Sequence, residues 1–215
     1  MLTVYGFARV NAWAHGRTRD LRVLWALEEM GVSYKLVGLD HTAGALNTEA
    51  YRALSPFEQI PAIDDDGLVL SESGAILLHL AKKSGKLIPA DTAGQAQVMR
   101  WCFSALNTVE FPILNLALLE FTEKQGVDVR AQRELMLKLA HRFLTGLERW
   151  LKGREFVATD GFTVADILMS LVLSEIEDQP LFEPYPSVRA YPERNKSRPA
   201  WKRTLEAYRA RVEAT

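Results

Sequence analysis

Between Gln59 and Leu80 the chain reads QIPAIDDDGLVLSESGAILLHL, a run that few folds can accommodate. An apolar run entered through a proline, an Asp-Gly pair and a second apolar run predict a hairpin, Pro61 to Asp64 and Leu68 to Leu70, turning about Asp65-Asp66-Gly67. Ser71-Glu72-Ser73 then opens a helix with Ile76, Leu77 and Leu80 as its apolar stripe and Lys82-Lys83 suited to its C-terminal end. A helix N-terminus beside the end of a small sheet presents backbone N–H donors, a place to hold an anionic, peptide-like ligand. The three consecutive aspartates are read as a solvated turn rather than a metal site, because no further ligands are spaced nearby.

The residues before this stretch read as the rest of a small α/β domain. Leu2 to Gly6 is a short apolar strand, followed by a long loop, FARVNAWAHGRTRD, and then by the helical LRVLWALEEMG with Gly31 as its stop. Leu21, Val23, Leu24, Trp25, Leu27 and Met30 occupy more than one helical face, so this helix is expected to be covered by its own sheet and by something else. Val32 to Gly38 reads as a second strand, parallel to the first, and Thr48 to Leu54 as one short helix. The order is βαβαββα over residues 1–84, and SGKLIPADTAG, rich in Gly, Pro and small polar residues, reads as a linker over 85–93.

Residues 94–215 carry no convincing strand and are expected to form an all-helical domain. Gln95 to Lys124 is one long helical pattern, bent or broken near Pro112; Arg133 to Leu151 is a second, and a third begins at Thr163. Thr163-Val-Ala-Asp166 has the form of a capping box, which makes Asp166 a cap rather than a catalytic acid. Prolines 180, 184, 186 and 192 break up the next stretch, and a final amphipathic helix runs from about Pro199 to Val212. A formal net charge of -1 argues against a nucleic-acid partner. A single cysteine, Cys102, excludes an internal disulfide and fits a reducing compartment. No leader pattern or membrane span is read, so a cytoplasmic protein is expected. His15, His41, His79 and His141 show no metal-ligand spacing, and no metal is expected.

The element order, the Ile60-Pro61 step, Ser71-Glu72-Ser73 and the Thr163–Asp166 box together resemble a cytosolic glutathione transferase of bacterial type. SPFEQIPAI resembles the family's Asn-Pro-x-x-x-Val-Pro-x-Leu segment, LRVLWALEEMG resembles its first helix, and the resemblance spans essentially the whole chain. It implies a thioredoxin-like domain that binds glutathione, a co-substrate held between two domains, and a homodimer. It also implies a cis Pro61, with Ile60 offering its backbone groups to the cysteinyl part of glutathione. Glu72 and Ser73 match the pair that takes the γ-glutamyl ammonium and carboxylate; without a ligand, Ser71 would be an N-cap and Glu72 a first-turn charge. Gln59 matches a residue facing the glycyl carboxylate, or is an exposed residue at the strand entry.

Activation of the thiol is the less legible half. A thiol of pKa about 8.5 is only a few per cent ionised at pH 7, and lowering it by about two units takes roughly 2.7 kcal/mol. A hydroxyl at the start of the first helix meets the need. Thr18 falls near the position of the serine in serine-type classes, or else caps that helix. Tyr5 weakly resembles the tyrosine of other classes, or is a strand residue of the core. Arg17 and Arg19 are charged alternatives or surface residues. Cys102, flanked by Trp101 and Phe103, is read as core. Trp13, Trp101, Phe103, Asn107, Thr108 and Phe111 are candidates for an apolar co-substrate pocket, or for core or dimer contacts. The leading expectation is conjugation of glutathione to a small electrophile; the alternative is a non-catalytic protein of the same fold that binds ligands or partners.

Overall fold

The computed structural model describes residues 1–176 and 180–214, the last two by their backbone. The chain forms two compact units: Met1–Leu87 together with the segment from Arg198 onward, and Ile88–Ser197.

The first unit is built on a mixed sheet. Strand β1 (Leu2–Val10) pairs in parallel with β2 (Lys35–Asp40) and antiparallel with β3 (Ala62–Asp65), which pairs antiparallel with β4 (Leu68–Ser71). Helices α1 (Asp20–Met30), α2 (Glu49–Leu54) and α3 (Ser73–Ser84) complete the expected βαβαββα order. The Asp-Gly turn behaves as its chemistry requires. Asp66 and Gly67 both take positive φ (55 and 93°), the primed geometry that matches strand twist. The Gly67 N–H is held by Asp64 Oδ1 at 2.8 Å. At this same turn end of the hairpin, where Asp65 pairs with Leu68, Asp65 accepts from His79 (2.7 Å) and Lys83 (2.6 Å), which ties α3 to β3.

Two differences from the sequence reading bear on the site. Strand β1 runs on to Val10 rather than stopping at Gly6, so the loop before α1 is shorter than expected. The additional residues are held on both sides: Phe7 and Arg9 pair with Leu39 and Asp40, and Arg9 and Val10 pair with a short strand β5 (Glu213–Ala214). No strand was expected so late in the chain. The second cover on α1 is helix α9 (Pro199–Arg211), which packs along it within the same unit. Trp25 and Trp201 meet with ring centroids 4.9 Å apart, and Arg198 grips Glu29 with two hydrogen bonds of 2.6 and 2.8 Å. Eight of the eleven α1 residues from Asp20 to Leu27 are buried, with Met30 as a ninth.

The second unit is helical: α4 (Thr92–Phe103), α5 (Glu110–Lys124), α6 (Arg130–Leu151), α7 (Val164–Leu173) and α8 (Pro186–Lys196). Helix α7 is apolar and buried on all sides, the core around which the others pack. Asp166 is a cap, as expected: Oδ2 accepts from the Thr163 N–H (2.7 Å) and hydroxyl (2.9 Å), and Oδ1 from the Val157 N–H (2.8 Å) and Tyr191 (2.5 Å).

The α4–α5 run, expected to bend or break near Pro112, continues as one helix from Thr92 to Lys124 through a π-helical turn, Ser104–Val109, just upstream of the proline. Pro112 lies in the first turn of α5, without an N–H and with its ring crowding the carbonyl four residues back. The π turn, in which Glu110 N–H reaches Ala105 O, accommodates that crowding one turn earlier. By length and composition alone, Thr92–Lys124 (33 residues, with an 18-residue window of mean hydropathy 1.4) is long and apolar enough to cross a membrane; 44% of that window is buried within the protein.

Pro186 and Pro192 do not break α8 either. Pro186 starts it, where a missing N–H costs nothing, and Glu148 from α6 caps the next two N–H groups, Ser187 at 3.2 Å and Val188 at 3.0 Å.

Candidate functional site

The register of the β3–β4 hairpin assembles the first part of the site. Ala62 pairs with Ser71, so Ile60-Pro61 and Glu72-Ser73, which flank that pair, lie side by side at one end of the hairpin. The Ile60-Pro61 peptide is cis, as the resemblance implies. Gln59 is exposed and held from three directions: its N–H donates to Ser55 Oγ (3.0 Å), its carbonyl accepts from Tyr51 Oη (2.9 Å), and its amide donates to the Phe57 carbonyl (3.2 Å).

Glu72, not Ser71, is the N-cap of α3, and Ser71 ends β4. Glu72 takes φ 69° and ψ 113°, a region that costs a non-glycine residue about 1–3 kcal/mol and that clusters at functional positions. Its side chain makes no cap hydrogen bond and is exposed. Ser73 opens the helix, 5% exposed, and its Oγ accepts from Arg22 Nη1 at 3.3 Å. Arg22 is itself 2% exposed. A serine that accepts from an arginine has its one proton left for another acceptor. The start of α3 therefore combines a helix N-terminus, a directed hydroxyl and a buried cation beneath it, with an exposed carboxylate beside them.

The two hydroxyls considered for activation are not equivalent. Side chains alternate across a strand. Gly6 faces α1 so closely that a Cβ there would sit 2.8 Å from Asp20 Oδ2, and Tyr5 therefore points to the opposite face, edge-on to Tyr51 of α2 at 6.4 Å. Thr18 lies immediately before Arg19, the N-cap of α1. It is buried, and its Oγ1 donates to Tyr208 Oη of α9 at 2.8 Å rather than to a helix N–H. Asp20, fully buried at the first position of α1, accepts from the Phe7 N–H at 3.0 Å, and Arg211 lies 3.7 Å away. Burial pushes the Asp20 carboxyl up, against the opposing pull of Thr18, Phe7 and Arg211.

Trp13, exposed, lies in the loop before α1 with the Arg17 guanidinium 5.9 Å from its ring. In the second unit Phe103, Asn107 and Phe111 are all exposed, the two phenylalanines at 64% and 52%. They follow one another at intervals of four across the π turn. Large apolar side chains left in water at that spacing suit a ligand or partner. Cys102 is buried and its thiol is pushed up to about 12 by burial, so it packs and does not react. Among the described residues no group of three or more His, Cys, Asp or Glu could hold a metal ion.

Arg22, Tyr51, Ser55 and Tyr208 were not singled out by the sequence. Arg22 had one available signal, a charge inside an otherwise apolar face of a helix read as covered. The other three are ordinary residues whose partners only the fold supplies.

Residues 8–82 match the glutathione S-transferase N-terminal domain, and residues 114–209 match the glutathione S-transferase C-terminal domain. Glutathione S-transferase 3 of Zea mays is 31% identical over 202 residues, covering 87% of this chain and 88% of its own length. Glutathione S-transferase D7 of Anopheles gambiae is 34% identical over 181 residues, covering 79% of this chain and 77% of its own. Among solved structures, a glutathione transferase from Burkholderia graminis with two glutathione molecules bound per subunit superposes with a TM-score of 0.83 at 29% identity, over 96% of this chain and 88% of that one. A glutathione transferase from Pseudomonas putida with one glutathione disulfide bound per subunit gives 0.83 at 25% identity, over 95% and 90%. With that fold, that hairpin end and these relatives, the chain belongs to the glutathione S-transferase family.

Proposed function

We propose that the protein conjugates glutathione, as its thiolate, to a small apolar electrophile. The observation that carries this reading is the Ala62–Ser71 pairing, which sets Ile60-Pro61 against Glu72-Ser73 at the end of the hairpin. In this reading Ile60 offers backbone groups to the cysteinyl part of glutathione, as a strand added to a sheet edge would be held. The Glu72 carboxylate takes the γ-glutamyl ammonium. Ser73 and the α3 N-terminus take its carboxylate, and Gln59 faces the glycyl end. Thr18 supplies the hydroxyl that stabilises the thiolate. The sulfur then attacks the electrophile, forming a C–S bond while a leaving group departs or a conjugated double bond takes up the electron pair; the thiol proton passes to solvent. In the second unit Phe103, Asn107 and Phe111 are read as contacts for the apolar co-substrate. The family also suggests a cytoplasmic homodimer, which sedimentation would test. Relatives named as transferases give the non-catalytic alternative no support.

Calorimetry with glutathione tests the reading: no measurable binding would remove it. The stoichiometry is equally informative, because neighbours carry two glutathione molecules or one glutathione disulfide per subunit. One equivalent, with conjugation of an aryl chloride, supports an apolar electrophile. Two equivalents, with turnover of a mixed disulfide, would point the same thiolate at a second glutathione instead.

A further inference from the structure

We propose that Tyr208, on α9, sets the direction of the Thr18 hydroxyl and so completes the thiol-activating group; this rests on the reading of Thr18 given above. The two oxygens lie 2.8 Å apart in a buried setting, although the residues are 190 positions apart in sequence. A threonine hydroxyl has one proton. In the arrangement found, that proton goes to Tyr208, and nothing is left to donate to a sulfur. The same heavy-atom positions admit a second arrangement, in which the phenol donates to Thr18 Oγ1 and the Thr18 proton is released toward the ligand. Only the second serves a thiolate. A phenol is also the better donor of the two, and in a buried chain each hydrogen bond polarises the next, so Tyr208 to Thr18 to sulfur is a stronger donor to the sulfur than Thr18 alone.

The surroundings keep Tyr208 in place and protonated. Burial is the first cause that pushes its phenol up to about 12, so the proton remains throughout the neutral range. The His15 ring lies 5.4 Å from the Tyr208 ring, with His15 Nε2 3.0 Å from the Val212 carbonyl. The Arg211 guanidinium lies 5.6 Å from the same ring and donates to the Phe7 carbonyl. Asp20 faces Thr18 from α1 and is the competing acceptor for its proton; one Asp20 oxygen, Oδ1, is buried without a hydrogen-bond partner. His15, Asp20 and Arg211 thus surround the pair, and Arg17 and Arg19 flank Thr18 in the chain.

The experiment follows the ultraviolet thiolate absorbance of bound glutathione against pH in the full chain, for wild type, Thr18→Val, Thr18→Ser, Tyr208→Phe and the Thr18→Val/Tyr208→Phe double variant. Thr18→Val is expected to raise the thiol pKa and Thr18→Ser to keep it. Tyr208→Phe is expected to raise it by about 0.5–1 unit, the worth of one neutral hydrogen bond. The double variant should match Thr18→Val alone. Affinity for S-methylglutathione, which has no thiol proton, reports whether Tyr208→Phe has kept the fold, and should be unchanged. As an independent arm, 3-fluorotyrosine at position 208, a stronger donor, should lower the thiol pKa. If Thr18→Val raises the pKa but neither Tyr208 change moves it, the inference fails and the Thr18 reading stands. If Tyr208→Phe shifts the pKa equally in the Thr18→Val background, Tyr208 does not act through Thr18 and the inference fails. If Thr18→Val has no effect, both fall.

Discussion

At the start of α3 two adjacent residues handle charge in opposite ways: Glu72 presents a carboxylate to solvent, while Ser73 turns inward over a buried guanidinium. A zwitterionic α-amino acid end needs that combination, and its loss should be felt as lost charged hydrogen bonds. Ser73→Ala and Glu72→Gln are each expected to weaken glutathione about 10- to 100-fold by calorimetry; Glu72→Gln should leave the melting temperature nearly unchanged, whereas Ser73→Ala, which takes an acceptor from the buried Arg22, should lower it. A second prediction concerns Asp65. Burial alone would raise its carboxyl, but hydrogen bonds from Lys83 and His79 outweigh that, and the net shift is downward. A carboxyl held below its unfolded value stabilises the protein above that value, about pH 4 for an aspartate, and the gain is lost as pH falls through the folded value. Urea midpoints should therefore drop on acidification below about pH 4, and Asp65→Asn should flatten the curve there. Glu72, Ser73 and the Ile60-Pro61 step were legible because they are adjacent in sequence and the hairpin pairing is local. Arg22 and Tyr51 were not, because their partners Ser73 and Gln59 belong to other elements.

Among the elements, the helices were legible wherever a period of 3.6 ran undisturbed, and misread where proline intervened. Pro112 predicts a bend or break nearby, but the helix continues, the backbone absorbing the proline one turn upstream by widening. Pro186 and Pro192 predict a broken stretch, but a helix forms there, held by Glu148 from α6 and the Tyr191–Asp166 bond. Both errors treat proline as a local signal when a partner side chain or an adjacent turn can compensate. The fate of α9 was not legible at all. Its amphipathic pattern says that one face is covered, not by which unit. The polar pair Glu28-Glu29 at the end of α1 is where it docks, through Arg203 (2.5 Å) and Arg198. Trp201 is the apolar anchor of that contact, and Trp201→Ala is expected to cost about 3–5 kcal/mol in equilibrium unfolding, against less than 1 kcal/mol for the exposed Arg203→Ala.

At the scale of the molecule, Gln59, Ile60, Glu72 and Ser73, the residues proposed to hold glutathione, all lie in the first unit, as do Thr18 and Tyr208. A ligand held only by the folded form stabilises it in proportion to saturation. Glutathione at about 100 times its Kd should add roughly 2.7 kcal/mol to the unfolding free energy of that unit, and the Ser73→Ala variant should need proportionally more glutathione for the same shift. If the two units melt separately, only the transition containing Trp25 and Trp201 should move. That first unit is interrupted: its sheet, α1 and α3 come from residues up to Leu87, while α9 and β5 come from Arg198 onward. On a ribosome adding about 5–20 residues per second, α1 emerges with Leu21 and Trp25 uncovered and waits roughly 10–35 s, while the rest of the chain through Arg211 is synthesised, before its cover exists. The half of the protein that is begun first is the half that is finished last, and for that interval a nascent chain carries the apolar face of α1 as a binding surface for chaperones.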